Sequence, residues 1–304
     1  MNRLLLLALL ALTGAAGAAD TLRLMSFNIW IGGEAGGQPL EQTAAVIRAA
    51  RADIVGLQET HGHERDGRRP DRGAELAVRL GWNYDNQGGS PGVLSRWPIL
   101  GRTPGRHGVL VRLPSGRTAH VFNIHFPAAP YQPYQLLGIP YGDGRFIRTA
   151  QEAVAEARAA RGRQVEALLA ELRAALTGDG PVFLTGDFNE PSHQDWTPRA
   201  VAAGKAPLSV VWPATLAVTE TGLRDTFRLA HPDEVARPGW TWTPTTAPDD
   251  PKDRHDRIDL VFVGPGVRVK SSQVVGESPA WADLVVTPYP SDHRAVVAEV
   301  TVGR

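Results

Sequence analysis

Gly186-Asp187-Phe188-Asn189 stands one residue after the apolar run Pro181-Val182-Phe183-Leu184. A run of β-branched and aromatic residues that ends in glycine and small polar side chains is typical of a buried strand that stops at a polar edge. Because strand side chains alternate between two faces, we expect Asp187 and Asn189 to lie on the same side. Such a pair can hold a substrate oxygen and a water, but Asp and Asn are also common in ordinary turns.

Polar side chains also mark the ends of other predicted strands. The full set is Asn28, Glu59, His125, Asp187, Asn189, Asp259, Asp292 and His293. Carboxylate and amide oxygens suit a hard cation such as Mg²⁺ or Mn²⁺ better than zinc. Two histidines beside carboxylates suit proton transfer and phosphate contact near neutral pH. A serine hydrolase is disfavoured, because the chain has no Gly-x-Ser-x-Gly motif.

Composition excludes several classes of chemistry. The chain has 304 residues and no cysteine, which rules out thiol nucleophiles, iron–sulfur centres and cysteine-ligated zinc. Lys plus Arg and Asp plus Glu both number 32, so the formal net charge is zero. The overall charge therefore provides no steering toward nucleic acid or an anionic membrane.

The N-terminus has the pattern of a cleaved secretory signal. Arg3 precedes the apolar run Leu4–Leu12, and small residues at 16–19 precede Asp20. A buried helix or a retained anchor is the alternative, but the run is too short to span a membrane. No other segment is long and apolar enough to cross a bilayer. We therefore predict a signal peptide over 1–19 and a protein that is secreted or periplasmic. We also expect a monomer.

The order of predicted elements indicates an α/β chain without a domain boundary between residues 20 and 304. A strand at Thr21–Asn28, a helix at Glu41–Arg51 and a strand at Asp53–Thr60 form a βαβ-like beginning. A long amphipathic helix is predicted from Arg148 to Leu176. Residues 221–228 form one short element, and alternating Val and Ala predict a last strand over Arg294–Val302.

Together these motifs resemble the endonuclease/exonuclease/phosphatase superfamily, and the chain is similar to a secreted, bacterial-type member. The resemblance rests on seven motifs in the family's order: Met25–Asn28, Leu57–Thr60, Leu94–Arg96, Asn123–His125, Gly186–Asn189, Arg257–Asp259 and Ser291–His293. It implies a four-layer α/β sandwich of two packed mixed β-sheets flanked by helices. Residues 20–304 would be one catalytic domain, with the site at one end.

The resemblance also implies a metal-dependent phosphoric ester hydrolase. Glu59 would bind the metal, with Asn28 and Asp292 in contact with it or one water away. The implied cation is Mg²⁺, with Mn²⁺ or Ca²⁺ as alternatives.

The same resemblance implies roles for the other residues. Asp187 would orient or deprotonate the attacking water, and Asn189 would hold that water or a phosphate oxygen. His293, paired with Asp259, would transfer a proton or stabilise the pentavalent phosphate. His125 would donate to a non-bridging oxygen. This arrangement agrees with the need of phosphoryl transfer for positioning and charge compensation.

The substrate stays open between two alternatives. A nuclease or general phosphodiesterase would use a basic face, for which the candidates are Arg65, Arg68, Arg69, Arg72, Arg145 and Arg148. A lipid or small-molecule phosphoesterase, similar to a sphingomyelinase or an inositol phosphatase, would use an apolar loop, for which the candidates are Tyr131, Tyr134, Leu136, Leu137, Ile139 and Tyr141. We rank the first alternative higher. A non-catalytic binding module is disfavoured, because Glu59, Asp187 and His293 are all present.

Overall fold

The computed structural model describes residues 19–303. The predicted signal peptide lies outside this range except for Ala19, and its cleavage stays a prediction. Within the described residues, no helix combines the length and apolar character that a membrane span requires.

The described chain contains thirteen strands and eight helices. The strands are β1 (Asp20–Asn28), β2 (Ile54–Gln58), β3 (Asn83–Asn86), β4 (Gly92–Ser95), β5 (Ile99–Arg102), β6 (Gly108–Arg112), β7 (Thr118–His125), β8 (Val182–Asp187), β9 (Arg224–Asp225), β10 (Asp259–Val263), β11 (Val267–Gly276), β12 (Leu284–Val285) and β13 (Ala295–Val302). The helices are α1 (Trp30–Gly33), α2 (Leu40–Ala49), α3 (Arg72–Leu80), α4 (Gln132–Leu137), α5 (Ala150–Leu176), α6 (Pro198–Ala202), α7 (Pro213–Glu220) and α8 (Thr226–Ala230).

These strands form two mixed sheets. The first has seven strands in the order β12-β11-β13-β1-β2-β4-β3, and the second has six in the order β5-β6-β7-β8-β10-β9. Strands β1 and β2 are parallel, which confirms the predicted βαβ beginning. Strands β7 and β8 are also parallel, and β10 and β13 run antiparallel to β8 and β1.

Apolar residues pack in three layers between and outside the sheets. Leu24 of β1, Val121 of β7 and Val261 of β10 belong to one buried cluster between the two sheets. Residues of α2 and α3 cover the outer face of the first sheet, and residues of α5 and α7 cover that of the second. The predicted four-layer α/β sandwich is therefore confirmed.

Local capping sets two element boundaries. Helix α5 begins at Ala150 because Thr149 and Glu152 form a capping box, two residues later than predicted. The predicted single element over 221–228 is wrong. It is a two-residue strand followed by α8, because the Asp225 carboxylate accepts hydrogen bonds from the backbone N–H groups of Phe227 and Arg228.

Candidate active site

Strand direction brings the predicted site residues to one edge of the sandwich. His125, Asp187 and Asp259 stand side by side at the ends of β7, β8 and β10. Asn28 ends β1, and His293 lies two residues before the first residue of the antiparallel β13. The carboxyl ends of parallel strands and the start of their antiparallel neighbours share one edge of a sheet. All eight predicted residues therefore lie in or directly behind one cavity.

Asp187 lines this cavity and is 1% exposed. Asn28 Nδ2 donates to its Oδ2 at 3.0 Å, and the backbone N–H of Asn189 donates to its Oδ1 at 2.9 Å. His125 Nε2 and His293 Nε2 lie 3.5 and 3.8 Å from the same Oδ2. This carboxylate is thus held in one orientation and has two imidazoles beside it.

Asp259 and His293 form a buried pair, as the sequence predicted. His293 Nδ1 and Asp259 Oδ2 are 2.9 Å apart. Burial by itself lowers the pKa of His293, but the carboxylates of Asp259 and Asp187 outweigh it and raise that pKa to about 10. The Nδ1–H is then fixed on Asp259, which leaves Nε2 to donate toward Asp187 and the cavity.

Asn189 reaches the cavity through a turn. Strand β8 ends at Asp187, and Asn189 has φ 47°, so strand alternation does not explain why both side chains line the cavity. The Asn189 amide is oriented by its Nδ2, which donates to the carbonyl of Phe126 at 3.0 Å.

Backbone strain is concentrated at this site. Among the described residues, seven non-glycine residues have positive φ, and four of them line the cavity: Trp30, Ile31, Glu59 and Asn189. Left-handed conformations of such residues are costly and persist where the surrounding structure enforces them. For Glu59, Ile31 N–H and Asn28 Nδ2 provide that constraint by donating to its carboxylate at 2.9 and 3.2 Å.

The donor set fits a divalent cation. Glu59, Asp187 and Asp292 face the cavity, and among the described residues no Lys or Arg lines it. Asp292 Oδ1 is buried without a hydrogen-bond partner within residues 19–303. Burial raises the pKa of Asp292 to about 7; His293 opposes this rise, and Glu59 and Asp187 add to it. Converging carboxylates without a Lys or Arg among them suit Mg²⁺.

Two details bear on the predicted metal ligands. Asn28 directs its Nδ2 at the carboxylates of Glu59 and Asp187, while its Oδ1 accepts from Trp30 N–H at 3.0 Å. Ligand atoms of Asp187, Asp259 and His293 lie within 4.8 Å of one another and form a second set that could hold an ion. Metal binding by Glu59, Asn28 and Asp292 stays a prediction.

The cavity has a volume of about 530 Å³ and a largely aromatic side that sequence reasoning recognised only in part. Tyr131, Tyr134 and Tyr141 belong to the predicted contact loop. Trp242 also lines the cavity, and its ring centroid lies 4.9 Å from that of His293. Trp30 was missed, because a single Trp after a strand carries no distinguishing signal.

A polar network beneath the cavity was also missed. Asn123 Nδ2 donates to the carbonyl of Leu57 at 2.9 Å, and its Oδ1 accepts from Gln58 Nε2 at 2.6 Å and Thr185 Oγ1 at 3.1 Å. A Cβ at Gly56 would lie 1.9 Å from Thr185 Oγ1, so this contact requires glycine. The network fixes the two sheets to each other directly below the site.

Glu190 and Arg161 support the turn behind Asn189. Glu190 is 1% exposed and accepts from Ala214 N–H at 2.7 Å, at the start of α7. Arg161 is wholly buried and donates to Gln132 Oε1 at 2.5 Å and the Pro130 carbonyl at 3.1 Å. Burial raises the pKa of Glu190 to about 7, although Arg161 and the hydrogen bond from Ala214 oppose the rise.

This pKa predicts a pH dependence of stability. Since the folded state holds the Glu190 proton up to about pH 7 and the unfolded chain only to about 4.5, the free energy of unfolding should fall as pH rises through this window. Between pH 5 and 8, the free energy of unfolding should fall by on the order of 2–3 kcal/mol less in Glu190→Gln than in the wild type. Urea unfolding at both pH values measures it, with the exposed Glu166→Gln as control. An equal pH dependence in wild type and Glu190→Gln would contradict the expectation.

The fold and the site together define a class: a two-sheet α/β sandwich with clustered carboxylates and histidines at one end. The chain belongs to the endonuclease/exonuclease/phosphatase family, whose model matches residues 25–293. Members of this family hydrolyse phosphoester bonds and are typically metal-dependent.

Comparison with known proteins agrees with this family. The chain is 28% identical over 303 residues to an uncharacterised protein of Caenorhabditis elegans, covering 93% of this chain and 92% of that one. A family member from Beutenbergia cavernae has a similar structure, with TM-score 0.56, 22% identity and coverage of 93% and 72%. A 3′ phosphatase from Neisseria, bound to a product DNA hairpin, has TM-score 0.56 and 21% identity, and the match covers 91% of this chain and 98% of that one. An AP endonuclease from Archaeoglobus fulgidus has TM-score 0.54 and 17% identity, and the match covers 91% of this chain and 98% of that one. At these identities the solved structures support the fold alone.

Proposed function

We propose that this protein is an exported, Mg²⁺-dependent phosphoesterase that hydrolyses phosphodiester bonds by in-line attack of water. The observation that carries the proposal is the buried Asp187 carboxylate, held by Asn28 between His125 and His293. Export rests on the sequence of residues 1–19. The mature chain would then begin at Asp20, which N-terminal sequencing of the exported protein checks.

Each polar side chain has a task in this proposal. Asp187 accepts the proton of the attacking water, since its carboxylate is fixed and faces the cavity. Asn189 orients that water or a phosphate oxygen. His293, kept protonated by Asp259, and His125 donate to phosphate oxygens as negative charge develops on them. Asp259 holds the tautomer of His293 without contacting the substrate.

The proposed cation site is formed by Glu59 and Asp292, with Asn28 orienting Glu59 or contacting the ion. A bound Mg²⁺ would polarise the phosphoryl group and offset its charge. Mn²⁺ or Ca²⁺ are alternative ions. A bound cation would also offset the mutual repulsion of the carboxylates of Asp187, Glu59 and Asp292, which face one cavity.

General phosphodiesters, with nucleic acid among them, are the first candidate substrates. The Neisseria relative was solved with product DNA, and the Archaeoglobus relative is an AP endonuclease. Lipid or small-molecule phosphoesters are the second candidate, which the aromatic side of the cavity favours.

A substrate panel tests the proposed function. Purified protein with Mg²⁺ should hydrolyse at least one of plasmid DNA, single-stranded DNA, RNA, bis-p-nitrophenyl phosphate, p-nitrophenyl phosphate, sphingomyelin and inositol phosphates. Product analysis by gel electrophoresis, absorbance or phosphate release gives the reaction. No turnover on any of them would contradict an enzyme and favour a binding module.

A further inference from the structure

The charge of the cavity does not suit a polynucleotide. Among the described residues that line it, the basic side chains are the imidazoles of His125 and His293, against the carboxylates of Glu59, Asp187 and Asp292. One divalent cation would bring this set near neutrality. A nucleic-acid strand carries a phosphate at every nucleotide and is normally held by several Lys or Arg contacts.

Three of the six arginines that could have formed a basic face are engaged by acidic neighbours. Arg65 and Arg72 share the carboxylate of Glu34 at 3.1 and 3.3 Å. Arg145 lies 3.2 Å from Glu152, on the first turn of α5. Exposed ion pairs of this kind add little stability, but each one cancels the positive potential that a polyanion would need.

The aromatic wall of the cavity (Tyr131, Tyr134 and Trp242) has its polar atoms turned to other partners. The Tyr131 hydroxyl donates to Asp256 Oδ2 at 2.9 Å, and the Tyr134 hydroxyl donates to Asp253. Trp242 Nε1 donates to the Tyr134 hydroxyl at 3.2 Å and lies 3.3 Å from Asp253 Oδ1. What these rings offer to a ligand is therefore mainly carbon surface.

The segment that follows this wall exposes three large apolar side chains. Tyr141 lines the cavity and is 43% exposed, while Leu137 and Phe146 on the same α4–α5 segment are 42% and 56% exposed. Exposed large apolar side chains concentrated on one segment beside a site mark a contact surface. The cavity of about 530 Å³ has room for a phosphate together with one ring-sized group.

We propose that the site selects phosphodiesters whose retained ester group is large and apolar and packs on the aromatic wall and Tyr141, over the phosphodiesters of a polynucleotide. This inference rests on the proposed function. The apolar group can belong to a soluble aryl ester or to a lipid at an interface, because both present carbon surface next to a single phosphate.

Two phosphodiesters that share the same leaving group test the selection for an apolar ester group. p-Nitrophenyl phenyl phosphate and p-nitrophenyl methyl phosphate both release p-nitrophenolate, so the ratio of their kcat/KM values reports the retained ester group. We expect the phenyl ester to be preferred at least about tenfold. Plasmid DNA should have the lower kcat/KM per phosphodiester. Equal values for the two esters, or a higher value for DNA, would overturn the inference and leave the proposed function standing.

Variants separate the ring of Tyr141 from its hydroxyl. Tyr141→Ala should reduce the preference for the phenyl ester to less than about threefold, mainly through KM, because a ring contact is lost. Tyr141→Phe should keep the preference, and so should Trp281→Ala, which removes an exposed aromatic ring outside this cavity. Loss of the preference in Tyr141→Phe would overturn the inference, because the preference would then depend on the Tyr141 hydroxyl and not on its ring.

Binding gives a readout that does not depend on turnover. By calorimetry in Mg²⁺, diphenyl phosphate should bind at least about tenfold more tightly than dimethyl phosphate. If neither nitrophenyl ester is hydrolysed but this difference is present, the proposed function fails and the apolar site stands. If the esters are hydrolysed and the two phosphates bind equally, the apolar site fails.

A short-chain lipid distinguishes the two sources of the apolar group. With dihexanoyl phosphatidylcholine, a sharp rise in rate above the critical micelle concentration would assign the group to a lipid interface. A rate that follows monomer concentration would assign it to soluble esters. Both results retain the selection for an apolar group, while hydrolysis of neither form would restrict the proposal to aryl esters.

Discussion

Replacement of Asp187 with asparagine is expected to lower kcat for phosphodiester hydrolysis by about a thousandfold or more. The substitution keeps the size of the side chain and one acceptor oxygen, so the turn at Asn189 can persist. It removes the negative charge beside His125 and His293 and the group that would take a proton from water. The expected loss is in kcat, because Asp187 acts on the water and not on the retained ester group.

Steady-state kinetics with bis-p-nitrophenyl phosphate, together with far-UV circular dichroism, checks this expectation. Asp179→Asn is the matched control, since it makes the same chemical change on the exposed turn between α5 and β8. The control should keep the wild-type kcat, and both variants should keep the wild-type spectrum. A folded Asp187→Asn protein with full activity would rule out the proposed role.

His293→Gln should lower kcat by about a thousandfold, and Asp259→Asn by about ten- to a hundredfold. His293 can donate to a phosphate oxygen, whereas Asp259 acts only through the imidazole that it orients and keeps protonated. The double variant should therefore be no slower than His293→Gln alone. Such non-additivity is typical of residues that work as one unit.

This double-mutant cycle is measured as kcat for the wild type, the two single variants and the double variant. His63→Gln, on an exposed loop, is the control. Thermal unfolding of each variant is needed, because changing one partner of a buried pair destabilises the fold. Multiplicative effects of the two substitutions in folded proteins would show that Asp259 acts independently of His293.

Strand-end residues were predictable from the sequence because the physics that places them is local. A buried apolar run fixes a strand, and β7, β8 and β10 then deliver His125, Asp187 and Asp259 to one edge through their pairing. The long helix α5 was predicted for the same reason, since its apolar stripe and closing glycines are contained in one segment.

Contacts between distant segments could not be read from the chain. Gln58, Asn123 and Thr185 lie in three different strands. They form a hydrogen-bond network only because the two sheets pack against each other. The position of Trp242 could not be predicted, because an aromatic residue in a loop gives no indication of the direction of its side chain. Its place beside His293 depends on how residues 237–256 cross the site. Likewise, the high pKa of Glu190 arises from tertiary burial, which no sequence pattern displays.

Metal dependence is the most direct test of the central claim. The purified protein is dialysed against EDTA, metal removal is verified by atomic absorption, and hydrolysis of bis-p-nitrophenyl phosphate is followed as Mg²⁺ is added. We expect turnover to fall to background without metal and to return saturably with Mg²⁺. Glu59→Gln should need at least about tenfold more Mg²⁺ for half-maximal rate. Unchanged turnover by the metal-free protein would contradict the assignment of this cavity as a metal-assisted phosphoester site.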